Sequence, residues 1–181
     1  MNATRNAGFS LIEVLVTILI LMIGLLGLAG LQGRALTSQM EAYQRSQALI
    51  LLKDMADRIN ANRKNAAFYV ATVGTGAACP PAGATVASGD LNEWCNALLG
   101  AAETQGVAKV GAMIGARGCI YQTVAPVAGT PGEYLIAVAW QGLNSTAALT
   151  VGPAAACGSG QYGGDVKRRL VALPLTIAAL N

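Results

Sequence analysis

The chain has 181 residues, 54% hydrophobic and only 12% charged, with 12 basic and nine acidic side chains for a net charge of +3. A charge this small does not on its own mark a dedicated nucleic-acid binder, and the absence of histidine removes the commonest general base and metal ligand. The mean hydropathy of +0.48 is concentrated near the N-terminus.

From Val14 to Gly33 no residue is charged. About 20 such residues in a helix, rising 1.5 Å each, cover the roughly 30 Å hydrocarbon core of a bilayer. Glu13 stands at the start of this run, where an acid costs on the order of 2.5–3.5 kcal/mol unless it is partnered or lies at the rim. If the bond after Gly8 is cut, Phe9 gains an α-amino cation that Glu13 of a neighbouring copy can pair with. Two such charges at about 4 Å attract by roughly 4 kcal/mol at an effective dielectric of 20.

Past Arg34, Leu36, Met40, Tyr43, Ala48, Leu52, Met55, Ala56 and Ile59 recur at three- and four-residue spacing, with charged and polar residues between them. One helix is therefore expected from Phe9 to about Asn62, its first half facing lipid or other subunits and its second half under a domain. Gly24, Gly27, Gly30 and Gly33 interrupt it at every third residue. They let helices approach closely, allow a local break at the bilayer edge, or reflect the ordinary enrichment of glycine in spanning helices.

Gly74 to Gly89, with Cys79-Pro80-Pro81, reads as a loop. Asp90 then reads as an N-cap with Glu93 three residues on, opening a short helix with Leu91, Trp94, Cys95 and Leu98 inward and ending near Gly100. Strands are expected over Val107 to Ile114, Cys119 to Val127, Tyr134 to Gln141, Ala147 to Val151 and Val166 to Ile177, separated by turns at Gly115, Gly118, Gly129, Pro131, Gly132, Asn144 and Gly158 to Gly164. A helix followed by antiparallel strands is an α+β domain. The room after the helix suits one domain of about 110–120 residues.

Cys79, Cys95, Cys119 and Cys157 are even in number and lie downstream of an export-type segment, which favours two disulfides over a metal site. Three pairings are possible. Cys79 with Cys95 and Cys119 with Cys157 are favoured because each joins neighbouring segments of the chain. The basic run Lys167-Arg168-Arg169 reads as a solvated strand end. Glu93, Glu103 and Glu133 are isolated acids, and no nucleophile elbow, phosphate loop or metal-ligand cluster accompanies them. Neither catalysis nor a cofactor or metal is expected.

The N-terminus Gly8-Phe9-Ser10-Leu11-Ile12-Glu13-Val14-Leu15-Val16 resembles the signal of the type IV prepilin family over Gly8 to about Leu31. An ordinary secretory signal with cleavage near Ala29 is the alternative, but such a signal has no use for Gly8 or Glu13. The resemblance implies a leader over residues 1–8, held in the cytoplasm by Arg5, cleavage after Gly8 and N-methylation of Phe9 by a prepilin peptidase. It further implies a membrane and filament-core helix over 9–33, an amphipathic continuation over 34–62 and a head domain over 63–181, in a pilin-like α+β fold. Glu13 would set the subunit's register.

Trp94-Cys95, Gly118-Cys119, Val138, Trp140, Gly142, Cys157 and Arg169 resemble in order the PilV minor pilins. That resemblance implies a minor pilin acting in a priming or tip complex, its partners being the major pilin, other minor pilins and a tip adhesin. The subunit would reside in the inner membrane with a periplasmic head and pass to the pilus on assembly. A type II secretion pseudopilin carries the same N-terminus. A DNA-uptake pilin would need an exposed basic face around Lys167, Arg168 and Arg169.

Overall fold

The computed structural model describes residues 8, 10–101, 103–106, 108, 109, 111, 113–127, 129–150 and 152–178. The chain divides after Met40 into two compact units. Helix α1 spans Leu11–Ala61 without interruption, close to the expected span, although Phe9 lies outside the described residues. In the first unit, residues 11–36 are all exposed.

The second unit, Glu41–Asn181, is built on a four-stranded antiparallel sheet in the order β1-β4-β5-β6. Its strands are β1 (Ala71–Gly74), β4 (Ile114–Val124), β5 (Gly132–Gln141) and β6 (Arg168–Ile177). Helix α2 is Val86–Leu98, and a two-stranded hairpin of β2 (Thr104–Gln105) and β3 (Ala108–Lys109) follows it. One face of the sheet, through Val73, Ile120, Ile136, Val138 and Trp140, packs with Ala48, Leu52, Met55, Ala56 and Ile59 of α1 and with Leu91, Trp94 and Leu98 of α2. On the other face, Cys119, Ala137 and Ala139 are covered by Cys157 and Tyr162. This is the expected α+β class, a long N-terminal helix on a small antiparallel sheet.

Several local expectations change. The buried face of α1 begins at Gln44, not at Leu36, Met40 and Tyr43, which are 63%, 49% and 45% exposed. After Ala61 the chain continues through Arg63–Tyr69 as a 3-10 segment kinked at Asn65.

Helix α2 starts four residues before Asp90. Thr85 is its N-cap, accepting a hydrogen bond from the Ser88 N–H at 3.2 Å, while the Ser88 hydroxyl reaches back to the Thr85 N–H. This reciprocal pair satisfies two N-terminal donors and frees Asp90 for other contacts.

Gly115 and Gly118, expected as strand separators, both lie inside β4. Gly115, at φ +63°, sits where the β4–β5 register shifts between Ile114 and Arg117, the place for a bulge residue that tolerates a left-handed conformation. Gly118 is in the strand because the Trp94 ring and Leu98 occupy the space a Cβ would need.

The strand expected over Val107 to Ile114 shrinks to Ala108–Lys109, with Ile114 joining β4. Gly111 itself is outside any strand and lies against the Gly100 backbone, where a Cβ would not fit. β1, a four-residue strand of Ala71, Thr72, Val73 and Gly74, is too short for periodicity to reveal. Residues 147–150, expected as a strand with Val151, have no strand partner among the described residues.

Candidate functional site

The first helical turn places Glu13 where the dipole of the helix N-terminus favours a carboxylate. The Ser10 carbonyl accepts from the Glu13 N–H at 3.0 Å and from the Val14 N–H at 3.3 Å, starting the helical ladder. Glu13 has no cationic partner among the described residues. Gly8 is described and exposed, whereas Phe9 and the leader residues 1–7, Arg5 among them, lie outside the described residues. The sequence alone therefore speaks for the cleavage and methylation sites.

Beyond Glu13 the helix is long and apolar enough to cross a membrane. Leu11 is 83% and Leu26 74% exposed, apolar area that is unfavourable in water at roughly 25 cal/mol per Å². Lipid or neighbouring helices are what such a surface is built to meet. A Cβ at Gly24, Gly27, Gly30 or Gly33 would meet nothing within 4 Å. These glycines are therefore not required by contacts within the chain, and they leave the helix unbroken.

Residues 3–29 match the family model for the prokaryotic N-terminal methylation motif, and residues 30–97 match that of type IV pilin Tt1218. The chain belongs to the type IV prepilin family. No curated protein and no solved structure matches it. The methylation motif implies processing of this prepilin by a prepilin peptidase and assembly with other pilins, and its N-terminal apolar helix fits an inner-membrane anchor that later enters a pilus. Proteins of this family are structural subunits.

In the pilin's second unit, the residues that resemble the PilV series form a packing assembly. The buried Trp94 indole N–H donates to the Leu51 carbonyl of α1 at 2.9 Å, and its ring lies on Gly118. Gly118 faces Val138 across the β4–β5 ladder, and Trp140 faces Arg169 across β5–β6. A Cβ at Gly142 would strike the Arg169 guanidinium, so glycine is what lets that side chain cross. The four cysteines join as Cys79–Cys95 and Cys119–Cys157, with Cα–Cα distances of 5.5 and 5.8 Å.

The basic run is not a solvated strand end. Arg168 is buried, donating to the carbonyls of Ala155, Cys157 and Leu149 and pairing with Asp165 at 3.2 Å. Arg169 donates to the Asn144 carbonyl at 2.7 Å and pairs with Glu41 of α1 at 3.2 Å. The Asn144 N–H also donates to Glu41 at 3.0 Å. That bond, reinforced by the charge of Arg169 and opposed by burial, holds the Glu41 carboxyl below the usual carboxylate range.

Sequence reading also missed a polar hub beside α2. Arg58 pairs with Asp54, Asp90 and Glu93 at 3.0, 2.9 and 2.7 Å, and the Tyr69 hydroxyl donates to Asp90. Burial works against the Arg58 charge, but hydrogen bonds to Glu93, Asp90 and Asp54 outweigh it and raise its pKa. Only the ends of this hub, a basic residue in the last turn of α1 and acids in α2, are visible in sequence, and nothing there says they meet.

Burial pushes the phenols of Tyr69 and Tyr162 up to about 12 from 10.0. A phenol with a raised pKa favours the folded state while it is protonated, an advantage complete below pH 10 and lost as pH climbs from 10 to about 12. The thermal midpoint should therefore fall through that window. Tyr162→Phe, which gives up a hydrogen bond to the Gly115 carbonyl, should lower the midpoint at neutral pH and flatten its alkaline decline; an unchanged alkaline slope would refute this.

Proposed function

We propose that this protein is a minor pilin of the type IV pilus, acting in pilus assembly, priming or a tip complex through protein–protein contact. The observation that carries the reading is a lone acid, Glu13, in the first turn of α1, ahead of an exposed, membrane-length stretch without charge over 14–33 and five residues past Gly8 of a Gly8-Phe9 junction. Its stages follow from charge. The helix holds the subunit in the inner membrane with its head in the periplasm. Cleavage of residues 1–8 by the prepilin peptidase frees the Phe9 amine, which is then methylated. Glu13 pairs with the corresponding cation of an adjacent subunit and fixes register as the apolar helix, residues 9–33, leaves lipid for the filament core. The head, residues 63–181, then chooses partners among the major pilin, other minor pilins and a tip adhesin.

The PilV assignment is supported by the Trp94 to Arg169 series. Those of its residues beyond position 97 fall outside both family matches. A DNA-binding role draws less support, since Arg168 is buried and Arg169 is bound to Glu41. A structural role is supported by the two pilin family matches.

The test is intact mass and N-terminal sequence from membranes, together with surface piliation. Wild-type protein should begin at N-methylated Phe9. Gly8→Ala should retain the leader, and Glu13→Ala should be processed but at least tenfold depleted from pili. Normal leader removal and normal pili in both variants would overturn the reading.

A further inference from the structure

Residues 147–150, Ala-Ala-Leu-Thr, fall in a segment the sequence predicts as a strand and have no strand partner among the described residues. All four are exposed, and the main-chain N–H groups of Ala147, Ala148, Leu149 and Thr150 find no hydrogen-bond acceptor among the described residues. The segment is nevertheless anchored. Thr146 N–H donates to the Val166 carbonyl at 2.7 Å, the Thr146 hydroxyl accepts from Arg169 at 2.8 Å, and the Leu149 carbonyl accepts from buried Arg168 at 2.7 Å. These ties hold the segment at the start of its own β6 and off the rest of that strand. With the Leu149 carbonyl turned inward, alternation along a strand leaves the main-chain groups of Ala148 and Thr150 facing out.

The same unit carries a complementary vacancy in its sheet. β6 is an edge strand. Gly142 N–H donates to the Lys167 carbonyl, so the bonded pairs of the β5–β6 ladder fall on alternate residues Arg169, Val171, Leu173, Leu175 and Ile177. The main-chain groups of Leu170, Ala172, Pro174 and Thr176 therefore face outward, consistent with Pro174, which has no N–H to give. The open edge available to an incoming strand is short, because Pro174 interrupts its donors after Ala172. It offers two N–H and two C=O groups, from Leu170 and Ala172, the number that Ala148 and Thr150 present at the same spacing.

We propose that residues 147–150 of one copy add as a short antiparallel strand to the β6 edge of a second copy, Ala148 opposite Ala172 and Thr150 opposite Leu170. This is strand addition to an open edge, and it is head-to-tail: donor and acceptor are different surfaces, so each copy can accept one neighbour and donate to another. Contacts of that kind close rings or propagate helically. The inference rests on the pilin reading only for the side-by-side assembly of subunits, and it adds a second copy of this chain to the partners named there.

The full chain, with photoreactive benzoylphenylalanine in place of Ala148, is irradiated in the membranes and pili of producing cells, and cross-linked peptides are mapped by mass spectrometry. A species of twice the chain mass should appear in which position 148 is joined to residues 170–173. It should fall at least tenfold in Ala172→Pro, whose lost N–H faces away from β5, and persist in Ala172→Ser. An adduct to a different protein, no self-adduct, or a self-adduct that survives Ala172→Pro would overturn the proposal. The N-terminal peptide of the same sample reports separately on the pilin reading: a methylated Phe9 start without the adduct removes only this inference, and an unprocessed start with the adduct removes only the other.

Discussion

Trp94→Ala is expected to destabilise the Glu41–Asn181 unit by about 3–5 kcal/mol, the usual range for deleting a buried aromatic, and to lower its thermal midpoint by roughly 10 °C. The indole is fully buried, spans from the Leu51 carbonyl on α1 to the backbone of Gly118 on β4, and satisfies its own N–H on the way. Removal therefore leaves a cavity and takes the side-chain donor from a carbonyl that lies mid-helix in α1. Gly118→Ala attacks the same contact from the other side. Its Cβ would overlap the ring and the Leu98 methyl, an overpacking that costs about 1–3 kcal/mol. Because the two changes share one contact, they should not add. In the Trp94→Ala background the cost of Gly118→Ala should shrink by at least about 1 kcal/mol. Denaturant titration of the four proteins decides it, and strict additivity would show that the ring and the glycine are energetically independent.

The paired change of Cys119 and Cys157 to serine should cost more than that of Cys79 and Cys95. The first bridge closes a separation of 38 residues and the second one of 16. Chain-entropy arguments then give about 4 and about 3 kcal/mol. Packing widens the gap, since Cys119 and Cys157 lie beneath Tyr162 against Ala137 and Ala139 and form much of the core on that face of the sheet. Loss of this bridge should also expose residues 153–165 to proteases while the α1–α2 face stays protected. Equal stability losses for the two pairs, or uniform proteolysis, would contradict this account.

What was legible in sequence was what local periodicity and chemistry control. The apolar run, its lone acid and the three- and four-residue spacing from Leu36 to Ile59 gave a helix ending within a residue of where it does, although Leu36, Met40 and Tyr43 of that series are exposed. The cysteine pairs follow from which segments are neighbours. Harder to read was whatever a distant residue decides. Gly118 looks like a turn signal until Trp94 is seen resting on it, and Asp90 looks like a cap until Arg58 and Tyr69 are seen to hold it. Gln44 displaces Tyr43 from the buried face although no spacing rule prefers an amide there. The Lys167-Arg168-Arg169 run looks solvated because burial of an arginine depends on carbonyls of Leu149, Ala155 and Cys157 that only the folded loop converges. For Glu13 the physics was legible and its partner was not, since no cation within the described chain reaches it.

The sheet order β1-β4-β5-β6 follows the order of the chain, with consequences for biogenesis. As a chain is made from its N-terminus, each strand of this sheet can pair with one already present. Cys157 precedes β6, so both bridges can close before the last strand arrives. Arg168, at the start of β6, can then reach the carbonyls of Leu149, Ala155 and Cys157, all of which precede it in the chain. Maturation accordingly has a natural order: the local Cys79–Cys95 bridge first, the long-range bridge second, and the closing strand with its buried guanidinium last.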